Sequence, residues 1–206
     1  DRRFRGFIEK LEKLVDELPV PVVVKETGHG LGYSVALTLC SIGIRYFDVS
    51  GAGGTSWIRV EAYRAALRGD EPCRAAAEAM AGWGIPTALS IVEVRWAAPH
   101  ACIIASGGVR NAMDAVRALA LGADLVGLAL PVLKAYSLGG RQAVRTLLES
   151  IARGVRMAMV LTGSRSLDEL KAARVHLLEP LKGLIEAAGI DLKLYMSVRT
   201  AHRNRC

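Results

Sequence analysis

The sequence predicts an α/β fold of four successive βα units plus C-terminal helices, which is half the content of an eightfold (β/α)8 barrel. Three observations carry this. Four short β-rich apolar runs each end in glycine or another small residue and lead into a helical pattern: VPVVVKETGHG (20–30), IRYFDVSGAGG (44–54), ACIIASGGVR (101–110) and ADLVGLALPV (123–132). Runs such as Val22-Val23-Val24 and Ile103-Ile104 lack a period of two, as parallel strands covered on both faces do. The 206 residues, 51% hydrophobic and 23% charged, are enough to bury a core.

Taken in order, DRRFRGFIEKLEKL at the start is an amphipathic charged helix with no signal-peptide core. Helical patterns follow the strands over about 32–43, 58–81, 111–121 and 140–160. GIPTALSIVEV (84–94) admits two readings. Its Ile-Val content suits a strand, but Pro86 suits a first helical turn, and Ile85, Leu89 and Val92 fall at helical spacing, so we read helix. A strand there would make five and open the alternative of a doubly wound sheet. After about Leu178 the character changes, and residues 179–206 read as a peripheral helical and basic tail on a unit spanning 1–178.

Bulk properties exclude several classes. The longest charge-free run, Thr27 to Ile44, begins TGHGLG, too polar and glycine-rich to cross lipid, so no membrane association is expected. Cys40, Cys73, Cys102 and Cys206 lie far apart with no C-x-x-C pair, which suggests neither zinc nor a disulfide framework but reduced thiols in a cytoplasmic protein. The net charge of +7 is spread along helix faces and bunches only in VRTAHRNRC, so a surface tolerant of anionic small molecules is expected rather than a nucleic-acid partner. Asp1 is not an initiator methionine, which raises the expectation that the chain starts partway through a larger protein.

The candidate chemistry sits at the strand ends. Gly107-Gly108 lets backbone N–H groups approach a ligand, and the following helix, with Asn111 as its N-cap, offers its unpaired N–H groups to an anion. Arg110 adds a fixed positive charge, and the next strand returns Gly127, Ala129 and Leu130 beside the first loop, an arrangement that suits phosphate. The alternative is a tight turn whose glycines serve packing alone.

Lys25 ends a Val run; its ammonium either points into the strand-end mouth or lies along the surface. Ser50 and Thr55, among the glycines of DVSGAGGTSW, suit the polar edge of a flat heterocycle. Asp48 braces that loop rather than acting as a base, and Trp57 packs or stacks. Glu61, one turn beyond, either points back at the mouth or pairs with Arg64 at i,i+3. Glu26 alternates outward, where it is expected to pair with a helix, and His29 and His100 have no partners at metal spacing.

VVVKETGHG, DVSGAGGTSWIRVEAYR, WGIPTALSIVEV, IIASGGVR and ALALGADLVGLALPVLK, in this order over roughly residues 1–170, resemble the C-terminal half of the type 2 isopentenyl diphosphate isomerases, FMN-dependent TIM barrels. FMN hydroxy-acid oxidases share only the late glycine-arginine and GAD pieces and carry a His-Gly-x-Arg element that this chain lacks.

The resemblance implies that Lys25 contacts the flavin ring, that Ser50 and Thr55 bind FMN, and that Gly108, Val109 and Arg110 with Ala129 and Leu130 hold its phosphate. Lys25 and Glu61 become the catalytic candidates, Glu61 as a carboxylate near the flavin that orients or relays protons. The implied reaction interconverts isopentenyl and dimethylallyl diphosphate in isoprene biosynthesis, with reduced FMN as acid/base, NADPH (or NADH) keeping it reduced, and Mg²⁺ on the substrate diphosphate. A homo-oligomer, tetramer or octamer, is implied as well.

Departures from the pattern are specific. The family's Q-x-E-G element, with its substrate Gln and Mg²⁺-binding Glu, would fall immediately upstream of Asp1, and so would the first four βα units. Ala112 stands where a glycine is usual, and the sequence after about 178 does not match. Two alternatives remain open: a non-catalytic half-barrel that binds phosphate or FMN, and another FMN-dependent oxidoreductase.

Overall fold

The structure, a computed structural model, describes residues 4–200. The first residues of the amphipathic N-terminal segment and the last of the basic tail, Cys206 included, lie outside the described residues. Helix α1 (Phe7–Glu17) leads to strand β1 (Val23–Lys25), α2 (Tyr33–Ser41) and β2 (Tyr46–Asp48). Three helices follow, α3 (Trp57–Arg68), α4 (Glu71–Ala79) and α5 (Thr87–Ala97), then β3 (Cys102–Ala105), α6 (Ala112–Ala120) and β4 (Leu125–Val126). The chain continues through α7 (Leu130–Leu161), α8 (Leu167–Ala172), α9 (Leu181–Ala187) and α10 (Leu192–Val198).

The strands form one sheet in the order β1-β2-β3-β4, every pair parallel. Register places Lys25 opposite Asp48 and Asp48 opposite Ile104, so the C-terminal ends of successive strands lie side by side. Phe47, Val49, Ile103 and Ala105 are fully buried beneath the helices. Segment 84–94 is helical, as its spacing predicts, although the helix starts at Thr87 with Pro86 as N-cap and runs to Ala97. It packs on β3 and α2 and buries Leu89, Ile91, Val92 and Val94. Cover on both faces holds for β2 and β3 but not for the outer strands: Val23 and Leu125 are half exposed, because each lies on a strand with a neighbour on one side only. Among the described residues no helix is long and apolar enough to cross a membrane.

Three expectations need correction. The helix expected over 58–81 is two helices, because Gly69 takes the left-handed conformation (φ 71°) and Asp70 caps α4 by accepting the Cys73 N–H. These helices pack chiefly on each other, an excursion from the strand-end rim. The helix expected over 140–160 begins at Leu130 and is interrupted at Gly139-Gly140. Cys102 is disulfide-bonded, against the expectation of reduced thiols, since separation along the chain does not bound separation in space; Cys40 and Cys73 are free.

Nor does the packing break at 178. Helices α9 and α10 dock on α5, and Ile185, Ile190 and Tyr195 are buried in the common core. The Tyr195 hydroxyl donates to the Leu121 carbonyl at 2.5 Å, and burial pushes its phenol up from the usual range. Ile185→Ala is expected to lower stability by about 2–5 kcal/mol. Urea denaturation checks this, and a negligible change would mean that the segment is peripheral after all.

Opposite the strand-end face lies a buried ionic cluster. Arg95, with no exposure, donates to the carbonyls of Gly122, Pro99 and Ala101 and to Asp124 Oδ2 at 2.6 Å. Lys171 pairs with the other Asp124 oxygen, and the Ile103 N–H donates to Oδ2 at 2.8 Å. Arg199 donates to the carbonyls of Ala120, Lys171 and Ala173, which ties the C-terminal helices to the end of α6.

Candidate functional site

The parallel strand order dictates where a ligand can sit: loops leaving the C-terminal ends of β1 to β4 converge, and a cavity of about 790 Å³ lies among them. Its wall takes Lys25, Thr27 and Gly28 from the first loop and Asp48, Ser50, Gly54, Thr55 and Trp57 from the second. Ser106 to Arg110 come from the third and Gly127 to Pro131 from the fourth. Of the nine site residues that the sequence nominates, eight meet in this cavity: Lys25, Ser50, Thr55, Gly108, Val109, Arg110, Ala129 and Leu130.

Glycine is required where the second and third loops interlock. Gly107 and Gly108 hold φ of 94° and 91°, and a Cβ at either would lie 2.2 Å from the Gly51 oxygen or 2.5 Å from the Gly53 oxygen. Arg110 staples the same loops, donating from Nη1 to the Gly108 carbonyl and from Nη2 to the Gly53 carbonyl, each at 2.8 Å. Its own N–H donates to Asp114 Oδ2 at 3.0 Å, while Asn111 caps α6 by accepting the Asp114 N–H at 3.0 Å, as its residue type predicts.

The donor inventory favours an anion. The N–H groups of Gly108, Val109, Leu128 and Ala129 have no acceptor among the described residues. The N-cap of α7, Ala129, offers no side-chain cap, so the positive end of that helix, with the Leu130 N–H, also stands at the cavity wall. Amides without acceptors, a helix start and a guanidinium bordering one concavity provide what a phosphate needs.

Three strand ends are also joined at the cavity wall. Lys25 Nζ donates to Asp48 Oδ2 at 2.6 Å and lies 3.4 Å from Ser106 Oγ. Ser106 Oγ donates to Asp48 Oδ1 at 2.5 Å, and the Ser50 N–H donates to the same oxygen at 3.2 Å. Ser50 has φ of 34°, the one positive φ at a non-glycine residue among those described. Asp48 therefore braces its loop, as the sequence suggests, and also engages Lys25.

Glu26 does not pair with a helix as expected. One of its oxygens accepts the N–H groups of Thr27, Gly28 and His29 at 2.6 to 2.7 Å and so folds the first loop. Burial alone would raise its carboxyl, but these three bonds and the nearby His29 outweigh it and hold the group below the usual carboxylate range.

Glu61 is the nominated residue that the structure leaves out. It does not line the cavity; it pairs with Arg64 at 2.6 Å and Arg68 at 3.9 Å on α3, half exposed, because α3 turns away from the rim with α4. Trp57, half exposed on the cavity wall, carries Arg64 5.9 Å above its ring. Sequence reasoning missed Ser106. Its signal was the serine opening S-G-G at the end of β3, read only for its glycines.

The family model described as FMN-dependent dehydrogenase matches residues 6–177. Among curated proteins, the chain is 48% identical over 182 residues to "Isopentenyl-diphosphate delta-isomerase" of Ignicoccus hospitalis, covering 88% of this chain and 50% of the relative. It is 43% identical over 195 residues to the protein of the same name from Aeropyrum pernix, covering 95% and 52%. The chain thus spans about half the length of the curated relatives it matches. Among solved structures it resembles a mandelate oxidase (TM-score 0.60, 23% identity, 82% of this chain and 43% of that one). A Pediococcus acidilactici putative lactate oxidase is similar too (TM-score 0.62, 24% identity, 84% and 41%). At these identities the likeness shows the fold alone, a barrel of which this parallel sheet and its helices form part. With the family model matched over most of its length, the chain belongs to the FMN-dependent dehydrogenase family.

Proposed function

We propose that this chain supplies the flavin-phosphate part of an FMN-dependent isopentenyl-diphosphate delta-isomerase. The observation that carries the reading is the convergence of Lys25, Ser50, Thr55, Gly108, Val109, Arg110, Ala129 and Leu130 on one cavity, in a chain 42–48% identical to proteins of that name. A cavity of about 790 Å³ has the size of a cofactor site, and its unpaired amides fit the terminal phosphate of FMN.

In this reading the amides of Gly108, Val109, Ala129 and Leu130, with Arg110, hold the phosphate. Ser50 and Thr55 bond the polar edge of the ring system, and Lys25 places its ammonium against it. Reduced FMN, held by these residues, would supply the proton-carrying acid/base centre that shifting the double bond needs. Glu61, if it serves the reaction, must first leave Arg64. NADPH as reductant, Mg²⁺ on the diphosphate, homo-oligomerisation and a cytoplasmic site belong to the same reading and rest on the family resemblance. Among the described residues no group of three or more His, Cys, Asp or Glu is placed to hold a metal.

Combined with the remaining half of the Ignicoccus hospitalis relative, the protein should turn yellow with FMN and, once reduced, convert isopentenyl to dimethylallyl diphosphate without net oxidation. A colourless, inactive mixture would overturn the proposal. Net oxidation of a substrate would favour a second reading, an oxidoreductase, which the family model's description supports.

A further inference from the structure

Lys25, Asp48 and Ser106 stand 23, 58 and 81 positions apart in their pairings, yet parallel register brings all three to adjacent strand ends. At the centre is Asp48, whose side chain is 12% exposed against 52% for that of Lys25. Its two oxygens accept from the Lys25 ammonium, the Ser106 hydroxyl and the Ser50 N–H, and all four residues line the cavity. A half-exposed lysine has a flexible stem and gains most from staying in water, so without a fixed counter-charge its ammonium would range freely. The carboxylate is itself held from the other side by Ser106 and Ser50, and cannot follow the lysine outward.

We propose that Asp48 is a positioning residue: it anchors the Lys25 ammonium at the cavity wall and balances its charge, with Ser106 as the brace that keeps the carboxylate in place. A bound ring that gains electrons then meets a compensated rather than a bare ammonium. Removing the negative charge leaves the ammonium uncompensated and makes the ring easier to reduce. The lysine arm of the test below stands on the structure alone, whereas its flavin arm rests on the function proposed above.

The lysine arm uses FMN-free protein and measures acetylation of each lysine by mass spectrometry. Asp48→Asn should raise the rate at Lys25 about fivefold relative to the other lysines, since the amine is no longer pinned against the carboxylate 2.6 Å away and is freer to meet the reagent. An equal rise at all lysines, or none at Lys25, overturns the proposal. If Asp48→Asn does not fold, Ser106→Ala keeps the test open, with a smaller rise of about twofold expected at Lys25 and none overturning it.

The flavin arm compares bound FMN in the parent protein and in Asp48→Asn by spectroelectrochemical titration. The variant should favour the reduced over the oxidised flavin about tenfold more than the parent does, a positive shift of about 30 mV for a two-electron couple. Asp48→Glu, which restores the charge, should recover most of it. Equal weakening of both forms with no shift in potential would mean that Asp48 only shapes the loop, and would overturn the proposal. A parent protein that binds no FMN refutes the functional reading, and the lysine arm then decides this one.

Discussion

Gly108→Ala should weaken FMN binding by a hundredfold or more, about 3 kcal/mol, measured by quenching of flavin fluorescence. The added Cβ would stand 2.5 Å from the Gly53 oxygen and 2.7 Å from its carbonyl carbon, so the loops after β2 and β3 must separate. Separation breaks the staple from Arg110 to the Gly53 carbonyl and displaces the Gly108 and Val109 amides. The backbone adds its own penalty, since φ of 91° costs a side-chain-bearing residue about 1–3 kcal/mol. Gly69→Ala is the control: its φ is 71°, but nothing lies within 4 Å of the added carbon and it ends α3 away from the cavity. That variant should lose about 1–2 kcal/mol of stability and leave FMN affinity unchanged. Equal effects of the two variants on affinity would show that the interlocked loops do not form the phosphate cradle.

Asp124→Ala should destabilise the fold by about 3–5 kcal/mol, because it strands a fully buried Arg95 guanidinium together with the Lys171 ammonium. Guanidinium or urea titration at neutral pH measures the loss. Burial pushes the Asp124 carboxyl up, but Arg95, Lys171 and the Ile103 N–H outweigh it and hold the group below the usual carboxylate range. A carboxyl depressed in the folded state contributes stability that is fully present above its unfolded value of about 3.9. That contribution disappears as pH falls toward the folded value. The parent should therefore lose stability more steeply than Asp124→Ala below about pH 4, and parallel acid profiles would contradict the assignment.

How far the sequence carries depends on whether a feature is local. The Asn111 cap, the glycine pair at the end of β3 and the helical character of 84–94 follow from neighbouring residues, and all are found in the structure. Gly69-Asp70 is a local stop and restart that the helical pattern over 58–81 masked. The link from Lys25 through Asp48 to Ser106 depends on the register of three strands, which no stretch of ten residues specifies. Glu61 illustrates the reverse: its place one turn past the loop suggests the cavity, but α3 leaves the rim to pack on α4.

The docking of the C-terminal helices on the core was illegible for a different reason. Helices α9 and α10 have seven residues each, too short to show a clear apolar stripe. What buries Ile185 and Tyr195 is α5, almost a hundred positions earlier, and Arg95 on that helix looks like any surface arginine until Gly122 and Asp124 close over it.

The most direct measurement compares FMN with riboflavin, which differs only in lacking the phosphate, by calorimetry with amide shifts recorded in parallel. If the amides at the ends of β3 and β4 and Arg110 grip the phosphate, FMN should bind about a hundredfold more tightly or better, from two or more charge-assisted bonds. The resonances of Gly108, Val109, Ala129 and Leu130 should then move with FMN alone. Equal affinities, or shifts confined to other parts of the chain, would contradict the account.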